Sequence, residues 1–151
     1  MATAKKKGSG ASRRAASRAG EPATAGSDVD AFLASKSHPL AAEISEVRAL
    51  VLGVDPTIRE AIKWSSVSFR NERDFFATVH LRARDTVQIV LFTGVKRKAT
   101  AETGVPVEDP AGIIERWLAK DRCLVSLGAG RDFRANRAAF VALAKAWVRH
   151  V

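Results

Sequence analysis

The feature that most constrains this chain is a change in hydrophobic period, helical at both ends and extended in the middle. Leu40, Ile44, Val47, Leu50 and Val51 recur three or four residues apart, opposite Glu43, Glu46 and Arg48, and predict an amphipathic helix that stops at Gly53. A shorter helix is expected before it, capped near Ser27 or Asp28, carrying Val29, Phe32 and Leu33 and ending before Pro39. At the far end Phe133, Phe140, Val141, Ala144 and Val148 place one apolar stripe on a helix from about Phe133 to Arg149.

Between these helices the period shortens to two. Phe75, Ala77, Val79 and Leu81 alternate with Phe76, Thr78 and His80, and a second β-rich run follows from Thr86 to Phe92, so Arg82 to Asp85 reads as a hairpin connection. Trp64 to Phe69 is expected as a short strand before them, and Cys123 to Leu127 as a fourth. Asp55-Pro56 and Asp109-Pro110 each pair a capping residue with a first-turn proline. They predict short helices, one through Ile58 and Ile62 and the other through Ile113, Ile114, Trp117 and Leu118. Helices outside and strands inside imply an α+β two-layer sandwich with a mainly antiparallel sheet of four or five strands.

The chain has 151 residues, 46% of them hydrophobic, enough for one core without a disulfide or structural metal. Its formal charge of +9 points to nucleic acid only until the charge is located. Residues 1–26 hold six bases against one acid, and they lack aromatic and nearly all large aliphatic side chains. The reading is a disordered basic tail over 1–26 before a domain over 27–151, with weak, nonspecific nucleic-acid contact through the tail. A lone cysteine, no apolar run of membrane-spanning length and no secretory signal fit a cytoplasmic protein that does not meet a membrane.

No nucleotide-binding glycine loop, metalloprotease helix or nucleophile elbow occurs, and neither a catalytic residue nor a cofactor is assigned. Cys123, set among Leu124, Val125 and Leu127, is expected to pack rather than react. The candidate ligand-binding residues are Lys63, Trp64, His80 and Lys96. A meander brings the start of one strand, the end of the next and the exit of the third together, giving an apolar wall, a hydrogen-bonding imidazole and positive charge for a small polar or anionic molecule. Lys96-Arg97-Lys98 after Gly94 is the strongest anion-binding run.

Glu60-Ala61-Ile62-Lys63-Trp64 matches an E-x-I-K-W segment. Phe76–Leu81, Gly94-Val95-Lys96, the D-P-x-G at Asp109–Gly112 and Trp117-Leu118 to Asp121-Arg122 follow it in order. In these segments the chain resembles the YdhG-like family, domain of unknown function 1801, over most of residues 28–151. The resemblance implies a fold loosely akin to frataxin and an alternative role as an iron chaperone. Ser65-Ser66-Val67-Ser68-Phe69 departs from the glycine and proline that relatives often show there. Iron would need gathered carboxylates or imidazoles, for which Glu43, Glu46, Glu60, Asp74 and His80 are available without an acidic ridge. A binding module for a small ligand or a protein partner, including a second copy of the chain, therefore ranks ahead of iron handling.

Overall fold

A computed structural model describes residues 25–96 and 104–151. The tail reading over 1–26 thus lies outside the described residues except for Ala25 and Gly26, as do Arg97 and Lys98. Helix α1 spans Gly26–Ser35 and α2 spans Ala41–Leu52, with Gly53 as its C-cap. The strands are β1 (Arg59–Lys63), β2 (Ser66–Arg70), β3 (Phe75–Val79), β4 (Val87–Phe92), β5 (Ile114–Ala119) and β6 (Arg122–Gly128). Helix α3, Gly130–Trp147, and a short 3₁₀ turn at Val148–His150 complete the chain.

The strands form one antiparallel sheet in the order β1-β2-β3-β4-β6-β5, six strands rather than four or five. The register puts Phe69 against Ala77, Ala77 against Leu91, and Ile89 against Val125. Those side chains meet Val29 and Leu33 of α1, Ile44 and Val47 of α2, and Phe133, Phe140 and Trp147 of α3 in one core. All three helices thus cover the same face, giving two layers. On α3 the stripe is rotated from the expected one: Leu143 and Trp147 are buried and Val141 and Val148 only half-buried.

Both helices expected at Asp-Pro pairs are strands, for one shared reason. Asp55 uses its carboxylate within a single turn, accepting from the Thr57 amide (2.8 Å) and hydroxyl (2.7 Å), which holds it below the usual carboxylate range. The chain then enters β1, where Arg59 to Lys63 pair residue for residue with Arg70 to Ser66. Asp109 likewise accepts from the amides of Ile113 (2.9 Å) and Ile114 (2.8 Å), while Gly112 takes φ +70°, incompatible with a continuing helix. Ile113, Ile114, Trp117 and Leu118 have helical spacing, but sheet pairing overrides it. Two bulges in β5 leave Glu115 and Leu118 without counterparts on β6, bending the outer strand.

A third bulge, opposite the Phe69–Arg70 step, changes which face the β3 aromatics occupy. Simple alternation groups Phe75 with Ala77 and Val79. Instead Phe76 joins the main core, and Phe75 turns to the face away from the helices, with Ala61, Phe92 and Val90.

Candidate functional site

Trp64 does not begin a strand. With Ser65 it makes the two-residue turn between β1 and β2, and both residues are left-handed, at φ +55° and +57°. Such a turn fits the twist of a hairpin but normally uses Asn-Gly, since a side chain there is strained by about 1–2 kcal/mol. Ser65→Gly should therefore stabilise the protein by about 1 kcal/mol, read as a raised denaturation midpoint; an unchanged or lower midpoint would contradict the strain.

The turn folds Trp64 onto the smaller aromatic cluster. Its ring meets Phe75 and Phe92 edge to face, at 5.3 and 5.7 Å between centroids, while 49% of Trp64 stays exposed. The Lys63 ammonium lies 5.1 Å from the Trp64 ring and 5.3 Å from that of Phe75. Arg70 covers Phe75 at 5.3 Å and Arg122 covers Phe92 at 5.7 Å. Asp121, buried, lies 3.3 Å from Arg122 Nε.

Beside the turn is a groove of about 360 Å³. Trp64, Ser65 and Ser66 form one side of its lining, and Thr78, His80 and Arg82, at and beyond the end of β3, form another. Lys36, just past α1, also lines it, and Val79 and Leu81 add apolar surface. The Ser66 hydroxyl donates to the Val79 carbonyl at 2.6 Å, tying the turn to β3. Among the described residues the lining thus holds two cations, an imidazole and three hydroxyls, and no carboxylate.

Of the four residues selected from sequence, Trp64 and His80 line this groove together. Lys63 lies over the Trp64 ring, outside the lining, and Lys96 is an exposed residue beyond β4, also outside it. Arg82 carried a signal, standing two residues from His80 in an alternating run. Lys36 carried none, because the segment that follows it is bonded to the connection between β3 and β4, more than forty residues away.

The carboxylates considered for iron are spread over other tasks. Glu43 accepts the Gly130 amide at 3.1 Å, Glu46 pairs with Arg137 at 2.7 Å, and Asp74 accepts from the amides of Phe75 (2.7 Å) and Val95 (3.1 Å). Glu60 binds Arg48 through both oxygens, at 2.9 and 2.8 Å. Among the described residues no three His, Cys, Asp or Glu side chains gather to hold a metal ion. Cys123 is fully buried, and burial pushes its thiol up to about 12, so it packs as a neutral group. No helix among the described residues is long and apolar enough to cross a membrane. Compared with family models, curated proteins and solved structures, the chain matches none.

Proposed function

We propose that this protein is a binding module whose groove beside Trp64 and His80 takes a small anionic ligand. The observation that carries the reading is the lining itself: among the described residues, Lys36 and Arg82 stand with His80, Ser65 and Thr78 in a concavity without a carboxylate. An anion there meets positive charge and hydrogen-bond donors and no like charge. A volume of about 360 Å³ suits a small organic molecule. Weak nucleic-acid contact through the basic tail stays a separate proposal, and the YdhG-like assignment rests on the sequence segments alone.

Both rim cations are exposed, so each contributes modestly, below about 1 kcal/mol. Together they should matter. Calorimetric titration of inorganic phosphate into the double variant Lys36→Gln, Arg82→Gln should show about tenfold weaker binding than into the unaltered chain. Equal affinity in the two proteins would show that phosphate does not bind in the groove.

A further inference from the structure

The turn residue asks for a narrower ligand class than an anion alone. We infer that the groove takes an aromatic anion, its planar ring resting against Trp64 and its oxyanion head between Lys36 and Arg82. This rests on the anion-groove reading above and adds the ring.

Trp64 is a costly choice at its position. Asn or Gly would close the β1–β2 turn without strain, yet the chain places a tryptophan there at φ +55°. Covering the sheet does not fully account for it, because half of Trp64 remains in solvent and Phe75 and Phe92 are also covered by Lys63, Arg70 and Arg122. Two edge-to-face contacts fix the indole plane before any ligand arrives. A fixed aromatic surface beside cations provides for stacking and charge recognition at little ordering cost.

The head-group end is also fixed in advance. His38, next but one to Lys36, is buried; its Nε2 donates to the Ala83 carbonyl at 2.7 Å, while its Nδ1 accepts the Leu40 amide at 3.0 Å. Arg84 donates to the Ser37 carbonyl at 2.8 Å. The chain segment following Lys36 is therefore bonded directly to the segment following Arg82. These bonds tie together the two segments that carry the rim cations, both of which line the groove.

The test uses the full chain with phenyl phosphate, inorganic phosphate and neutral phenol as probes, followed by calorimetry, with Trp64→Asn as the variant. Asparagine tolerates the left-handed turn and removes the ring. Phenyl phosphate should bind about tenfold tighter than inorganic phosphate, equivalent to about 1.4 kcal/mol, and tighter than phenol. Trp64→Asn should abolish that advantage, so that phenyl phosphate and inorganic phosphate bind the variant alike. If the unaltered chain binds the two phosphates equally, or the variant keeps the preference, the aromatic class is wrong and the anion groove stands. Binding of neither phosphate overturns both, and this comparison in the unaltered chain holds whatever the variant's stability.

Discussion

Trp147→Ala should be the most damaging single substitution, lowering stability by about 4 kcal/mol. Trp147 is fully buried, its Nε1 donates to the Phe92 carbonyl at 2.8 Å, and its ring stacks on Trp117 with 5.8 Å between centroids. It sits where α3 ends and joins three parts of the fold: the helix, the end of β4 and the outer strand β5. Truncation removes the buried ring, leaves a cavity between helix and sheet, and takes away the donor facing Phe92. Against a total of about 5–15 kcal/mol for an ordinary domain, the loss is a large share. Trp147→Phe keeps most of the packing and loses the hydrogen bond, so it should cost less than half as much. Urea denaturation of the three proteins checks this; a loss below about 1 kcal/mol in Trp147→Ala would show that the helix end does not anchor the sheet.

The second large effect is expected at Arg48. Its guanidinium joins α2 to β1 by the bidentate bond to Glu60 and reaches Asp30 of α1 at 2.6 Å. The Arg48 and Glu60 side chains are only 12% and 9% exposed, whereas Asp30 is 69% exposed. Most of the energy therefore lies in the inner pair, and the hydrogen bonds to Glu60 hold Arg48 protonated beyond even the ordinary arginine range. Arg48→Met leaves the Glu60 carboxylate buried beside apolar atoms and should cost about 3 kcal/mol. Adding Glu60→Leu removes that orphaned charge and should restore most of the loss, because the pair's desolvation nearly offsets its attraction. If the double variant is no more stable than the single one, the cost came from packing around the methionine rather than from the stranded charge.

Long amphipathic runs were legible in the sequence because their period is repeated several times. Leu40 to Val51 has only one way to bury its stripe, and α2 lies there. The β3–β4 hairpin was legible for the same reason. The Asp-Pro segments were not, since an aspartate capping a helix and one closing a single turn use the same carboxylate and the same neighbouring proline. What separates them is tertiary pairing: β1 forms because β2 offers an edge, and β5 because β6 does. The bulge between β2 and β3 was equally hidden, and with it the exchange of Phe75 and Phe76 between faces.

The candidate site was partly legible. Trp64 and His80 stand out as an aromatic and an imidazole near strand ends, and the antiparallel pairing of β2 with β3 brings those ends together. Reading Trp64 as a strand residue concealed both its strain and its position at a turn. Lys36 also lines the groove, and the hydrogen bonds from His38 and Arg84 that tie its segment to the β3–β4 connection join residues more than forty apart in the chain. No local pattern carries such a relation.

Anion binding at the groove beside Trp64 is open to direct observation. The most direct measurement is amide chemical-shift mapping of the full chain titrated with phenyl phosphate at constant ionic strength. Saturable shifts should concentrate at Lys36, at Trp64 to Ser66 and at Thr78 to Arg82, with the Trp64 indole N–H among the largest. Shifts spread along the arginines of α3, or confined to the basic residues before Ser27, would contradict it.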